Sequence, residues 1–199
     1  GLRTRRINYA GGSGAAKTMR LADIVNSTPV AVGSPAESFN LLYGDDSYAD
    51  FARGLSPRRQ VVLVGSNSGM LHAFHAGFFD SRNLQFARGA GTASQQPLGA
   101  ELWAYVPGNA LPHLRWYTDP DYTHVFTVDG SPYVFDAKVF SSRGGWGTIA
   151  AVNFRTGGGN ISVDSDDFDG VGASNADGDA DDDISSRAAT VLLDITNPN

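Results

Sequence analysis

The stretch "QVVLVGSNSGMLHAFHAG", Gln60 to Gly77, sets the reading of this chain. A continuous apolar run ends at Gly65, the polar residues "SNS" follow, and a second apolar run lies between Gly69 and Gly77. Two such runs around a short turn predict a tight antiparallel hairpin. Outward from it, "AELWAYVPG", "THVFTVDG", "SPYVFDAKVF", "GWGTIAAVNF", "ISVD" and "ATVLLDITNP" read as further short strands separated by Gly, Pro, Asn and Ser. Helical periodicity is scarce. "DSYADFARGL" is the best helical candidate, with Asp46 or Ser47 as N-cap and Gly54 near its end. Residues 78–99 read as a loop inserted at a strand connection. The expected fold class is all-β, as a sandwich, barrel or propeller.

The order strand, Gly turn, strand ending in Ala-Phe, loop and "GAELWAYVP" favours a β-propeller. A blade needs a large aromatic to pack on its neighbour, and Trp103 suits that role. At four strands per blade the segments supply about two to three blades, so the propeller is expected to be incomplete.

Composition narrows the functional classes. The 199 residues carry a formal charge of −6, and 41% of them are hydrophobic, which fits a globular chain with a real core. Nine aspartates fall within "DSDDFDGVGASNADGDADDD", Asp164 to Asp183, so the acidity is local. No broad basic surface points to nucleic acid, and no apolar run has the length of a membrane span. The absence of cysteine excludes disulfides, Cys-ligated zinc and thiol catalysis.

Several patterns resemble catalytic motifs without completing them. "GGSGAAKT" (Gly11–Thr18) has Ala16 where a phosphate-binding loop needs its second Gly, so residues 1–20 read as a flexible N-terminal arm. "GSNSG" (Gly65–Gly69) has Asn67 at its centre where a nucleophile elbow has Ser, and a hairpin turn accounts for it better. His72 and His75 are three apart, an odd strand spacing that sends them to opposite faces and prevents them sharing a metal. His113 and His124 have no acidic partner nearby in sequence, and Asp129 and Asp136 flank a strand-end turn. No catalytic or cofactor-binding residue is assigned, and no enzymatic activity is expected.

The acidic stretch is different. Calcium takes six to eight hard oxygen ligands, which a loop supplies when carboxylates alternate with small residues. Asn175, Asp177, Asp179, Asp181 and Asp183 stand at alternate positions around the bend at Gly178, and Asp167 and Asp169 before Gly170 repeat the idea. Position 12 is Ser186, so the bidentate Glu of an EF-hand is absent, and the spacing looks like the tandem acidic loops of thrombospondin type-3 repeats. Magnesium prefers fewer protein ligands, so Ca2+ is the expected ion. The alternative is a solvated acidic loop without a ligand.

Taken in order, "LADIVNSTPVAVG", "YADFARG", "VVLVGSNSGMLHAFHAG", "GAELWAYVPGNALPHL", "YTHVFTVDGSPYVFDA", "WGTIAAVNFRTGGG" and "LLDITNP" resemble the C-terminal β-propeller of the type IV pilus tip and biogenesis proteins, the PilY/PilC group. The likeness runs over Leu21–Pro198, and residues 21–199 would then be the leading part of that domain with an acidic insertion at 164–183. The resemblance implies a modified quinoprotein-like propeller, non-enzymatic, exported through the periplasm and outer membrane to the cell surface and pilus tip. It also implies roles in pilus assembly, retraction control and adhesion. The implied partners are minor pilins or other pilus components, a host-surface ligand and the remainder of the same propeller. The family's own calcium loop lies after the "DITNP" block, so the role of residues 164–183 rests on spacing alone. Two other functions share the scaffold: a quinoprotein-like dehydrogenase and a periplasmic scaffold propeller that binds proteins without calcium.

Overall fold

A computed structural model describes residues 6–7, 17–18, 21–80, 82–88, 96–114, 116–120, 122–154, 161–163, 184–186 and 189–199. The strands are β1 (Arg6–Ile7), β2 (Lys17–Thr18), β3 (Val30–Val32), β4 (Gln60–Ser66), β5 (Met70–Asp80), β6 (Gln85–Ala87), β7 (Glu101–Tyr105), β8 (Tyr133–Lys138), β9 (Trp146–Asn153), β10 (Ile161–Val163), β11 (Ile184–Ser186) and β12 (Thr190–Asp194). The helices are α1 (Phe39–Tyr43), α2 (Asp46–Gly54) and α3 (Leu111–Leu114). A five-stranded sheet runs β3-β4-β5-β6 with β7 also on β5, and a three-stranded sheet runs β12-β9-β8. The pairs β1-β2 and β10-β11 stand apart from these sheets.

The expected hairpin is the spine of the first sheet. β4 and β5 pair antiparallel from Val61↔His75 to Ser66↔Met70, and the turn carries Gly69 at φ 79°, a conformation glycine adopts without steric cost. Period-two alternation puts Val61, Leu63, Leu71 and Ala73 at 0% exposure, facing Ala150 and Val152 of β9. Val191 and Leu193 of β12 and Val134 of β8 close the same core from the second sheet. Each large apolar side chain buried there contributes about 1.5–3 kcal/mol. A satellite cluster of Tyr48, Phe51 and Trp146, with Phe39 packed on it, fastens α1 and α2 to β9.

The two sheets follow one plan with different connections. β4 reaches β5 through Asn67–Gly69, whereas β9 reaches β12 through residues 154–189, which contain β10, β11 and the acidic stretch. The first sheet then adds β7 beyond β5, but among the described residues β12 has no strand on its outer side.

Several expectations are corrected. The chain is β-rich but not all-β, because α1, α2 and α3 join the sheets. The N-cap of α2 is Asp45, whose carboxylate accepts from the Ser47 backbone N–H at 3.0 Å. Residues 78–99 are not simply loop: β5 continues to Asp80 and pairs with β6 through Phe78↔Ala87 and Asp80↔Gln85. Thr123–Gly130 is not a strand: two of its donors go to side chains and no ladder forms, although Gly130 N donates to the Asn153 carbonyl of β9 at 3.2 Å. Asn67 Oδ1 accepts from Thr127 N at 3.2 Å, and the Tyr122 hydroxyl accepts from Val125 N at 3.4 Å. Val30–Val32 forms an additional strand whose register on β4 runs from Val30↔Leu63 to Val32↔Val61. Part of the N-terminal arm is paired, as Arg6↔Thr18 and Ile7↔Lys17, while Gly11–Ala16 lies outside the described residues.

Candidate functional site

The turn between β4 and β5 gathers residues from distant segments. Asn67 is 1% exposed, and its backbone N–H donates to the Asp23 carbonyl at 3.0 Å. The Asn67 amide donates to Asp23 Oδ2 at 2.9 Å. Ser27 Oγ accepts from Gly65 N at 2.9 Å, and Ser131 Oγ accepts from Thr28 N at 2.9 Å. Fully buried Asp129 accepts from Val25 N at 3.2 Å, Asn26 N at 2.9 Å and the Asn26 side chain at 2.5 Å. Burial pushes the Asp129 carboxyl up, but the bonds from Asn26, Val25 and Ser27 outweigh it and hold it below its ordinary value. The blocks "DIVNSTP" and "VDGSP" thus clamp the hairpin turn, and their chemistry is that of a satisfied buried network.

On the same turn His72 meets an acid that sequence spacing did not indicate. His72 is 4% exposed; Nδ1 lies 2.7 Å from Glu101 Oε1 on β7, and Nε2 lies 2.9 Å from Ser66 Oγ and 3.2 Å from Ser68 Oγ. This is the atom order of a base-activated serine, but Ser66 is at 0% exposure and cannot meet a substrate carbonyl. Ser68 Oγ is held at 2.5 Å by Ser66. The line locks the turn to β7. β5 pairs with β7 across Leu71↔Tyr105 and His72↔Ala104, so only the sheet could reveal this acid–histidine pair.

The other singled-out residues separate. His75 takes different partners from His72, accepting from Gly77 N at Nδ1 (3.2 Å) and standing 6.0 Å from the Phe78 ring. His113 is buried, which holds its pKa below the ordinary value. His124 Nε2 lies 3.5 Å from Asp23 Oδ2, a carboxylate far from it in sequence. Asp136 is no turn residue; it sits in β8, accepting from the Tyr48 hydroxyl at 2.7 Å and from Thr148 Oγ1 at 2.7 Å. Burial, followed by the bond to Asp136, pushes the Tyr48 phenol up. Arg58 donates to Thr148 Oγ1 at 2.8 Å and to the Gly33 carbonyl at 2.5 Å, tying β3 to β9. Burial lowers its pKa.

Asp167, Asp169, Asn175, Asp177, Asp179, Asp181 and Asp183 lie outside the described residues. What is described is their frame. β10 and β11 pair antiparallel with Val163 opposite Ile184, so residues 164–183 leave and rejoin one strand pair. Among the described residues no group of three or more His, Cys, Asp or Glu is placed to hold a metal ion.

The sheets and the clamped blocks can now be set beside known proteins. The family model described as the PilY1 beta-propeller domain matches residues 21–179. The chain belongs to this family. A type IV pilus biogenesis factor PilY1 homolog of Xylella fastidiosa is 35% identical over 144 residues, covering 69% of this chain and 10% of that protein. The type IV pilus biogenesis factor PilY1 of Pseudomonas aeruginosa PAO1 is 32% identical, again over 69% of this chain and 10% of its own length. The crystal structure of the Pseudomonas aeruginosa PilY1 C-terminal domain is 26% identical, with a TM-score of 0.39 over 66% of this chain and 21% of that one. The chain therefore spans about a tenth of the length of the curated PilY1 relatives it matches. Among the described residues no helix is long and apolar enough to cross a membrane.

Proposed function

We propose that this chain is part of a non-catalytic type IV pilus-associated module of the cell surface, acting in pilus biogenesis, retraction control and adhesion. The family match over residues 21–179 supports this reading, as do the pilus biogenesis roles in the names of the PilY1 relatives. Its partners are minor pilins or other pilus components. The two sheets are its leading blades in a quinoprotein-like propeller: β3-β4-β5-β7 and β8-β9-β12 share one strand plan, and the second leaves the outer side of β12 for a further strand. No described cluster supplies the acid and metal site a dehydrogenase propeller would use, and Ser66 is sealed from substrate.

The acidic stretch is the calcium site of this module, with Asp167, Asp169, Asn175, Asp177, Asp179, Asp181 and Asp183 as oxygen donors. The β10-β11 pair supports it by bringing the ends of the stretch together, which lowers the entropy lost when one ion gathers ligands from both halves. Calorimetry with calcium tests the reading. Binding is expected at about 10⁻⁵–10⁻³ M, as for extracellular modules. Asp177→Ala with Asp179→Ala should abolish the heat, and equal heats from both proteins would overturn the calcium site. The pilus reading is tested separately, by deleting the coding segment in the parent gene and counting surface pili; unchanged piliation and adhesion would overturn it.

A further inference from the structure

Arg59, just before β4, is 7% exposed, yet it has no carboxylate within ion-pair distance among the described residues. Buried guanidinium groups are ordinarily paired, because an uncompensated charge away from water is costly. Arg59 Nη1 donates to Gln96 Oε1 at 2.8 Å, the guanidinium lies 5.5 Å from the Phe78 ring, and Nε is buried without a partner. Nη2 has no partner among the described residues and is not among the sealed atoms, so it is the end that reaches the surface. A second arginine converges on the same residue: Arg88, exposed at the end of β6, directs Nε at the Gln96 carbonyl at 3.5 Å. His75, packed on Phe78, keeps Nε2 buried and unpartnered. Burial, then the charges of Arg59 and Arg88, disfavours its protonation. The result is a positive corner with no acid of its own among the described residues.

Beside Arg88, two residues on from Phe86 and just past the end of β6, lies exposed apolar surface. Phe86 is 47% and Leu98 48% exposed, and both cover Gly77, whose added Cβ would meet Leu98 Cδ2 at 3.2 Å and Phe86 Cβ at 3.3 Å. Phe79, 57% exposed, holds its ring tilted 5.4 Å from that of Phe86. Cations adjoining an aromatic patch match an acidic residue with an apolar neighbour better than a bare inorganic ion, which would use the cations alone. A planar guanidinium fork also fits the two oxygens of a carboxylate.

We propose that Arg59 and Arg88, held together by Gln96, receive a carboxylate of a partner polypeptide, whose adjoining apolar side chain rests on Phe86 and Leu98. The site goes beyond the pilus reading and needs neither calcium nor a closed propeller.

The test is NMR of arginine side-chain N–H groups in the full 199-residue chain, titrated with acetate, inorganic phosphate and N-acetyl-aspartyl-phenylalaninamide. The Arg59 and Arg88 signals should shift saturably, while Arg53, paired with Asp50 on an exposed helix face, stays in place. The dipeptide should bind about tenfold more tightly than acetate, and Arg88→Gln should weaken it by about tenfold. Arg88 is exposed, so that variant is expected to keep the wild-type melting temperature; Arg59→Lys, which keeps the charge but has no second nitrogen to hold Gln96 while binding the ligand, should also weaken the dipeptide. Shifts that fail to saturate, that appear equally at Arg53, or that favour phosphate over the dipeptide would overturn the proposal.

Discussion

Asn26 and Asp129 are 103 positions apart and joined twice, through the Asn26 backbone N–H at 2.9 Å and its side-chain amide at 2.5 Å. The second bond ties the segment before β3 to the segment before β8, at the place where the two sheets meet the hairpin turn. Because Asp129 is fully buried, these bonds replace water around a charge.

Asp129→Asn keeps the shape and removes the charge, and should destabilise the fold by about 1–3 kcal/mol. The folded carboxyl lies below its ordinary value, so its contribution is present above about pH 4 and is lost as pH falls through the lowered value. Chemical denaturation from pH 6 to pH 2 should show a smaller acid loss in the variant. Identical slopes would mean that Asp129 carries no linked charge.

His75 and His113 have lowered pKa values, His75 chiefly through burial and then Arg59, and His113 through burial. In both the folded state prefers the neutral ring, so the unfolded chain takes up the proton first as pH falls below about 6.5. Stability should be level above that pH and decline beneath it, until the folded rings titrate. His113→Gln should flatten part of this decline in melts taken between pH 7.5 and pH 5.

Gly65 admits no side chain. An added Cβ would stand 2.1 Å from the Val128 carbonyl oxygen, and backbone at that spot cannot yield as a flexible side chain would. Gly65→Ala should cost about 3 kcal/mol or more and separate β4 from the 127–130 segment. Gly54→Ala, with open space around the added Cβ and a helical position, should be neutral or stabilising in the same thermal melt.

The outer face of the second sheet predicts association. Tyr133, Ala151 and Leu192 are register partners in one row across β8, β9 and β12; Tyr133 is 65% and Leu192 61% exposed. With a strand edge beside them that is open among the described residues, the isolated 199-residue chain is expected to self-associate in sedimentation. Leu192→Lys should shift it toward monomer without loss of the core, because Val191 and Leu193 face the other way. A monomeric wild-type chain that melts cooperatively would argue against a propeller continued at β12.

Much of this protein was decided locally. The β4-β5 hairpin was legible because two apolar runs flank a polar turn, and α2 because a capping Asp group precedes an amphipathic run; both need only neighbours in sequence. The order of the blocks from "DIVNSTP" to "WGTIAAVNF" carried the family, whose model matches residues 21–179. Tertiary structure alone decided which polar groups meet. Glu101 reaches His72 only because β7 pairs with β5, Asp129 reaches Asn26 only because the sheets pack, and that same packing leaves Arg59 without an acid among the described residues. Thr123–Gly130 reads as a strand by composition, yet the Asn67 and Tyr122 side chains take the Thr127 and Val125 N–H groups in place of a ladder. Local pattern fixes which face of an element is apolar, because side-chain direction follows the backbone period; it says nothing of which distant donor will satisfy a buried acceptor, because that depends on how separate elements pack.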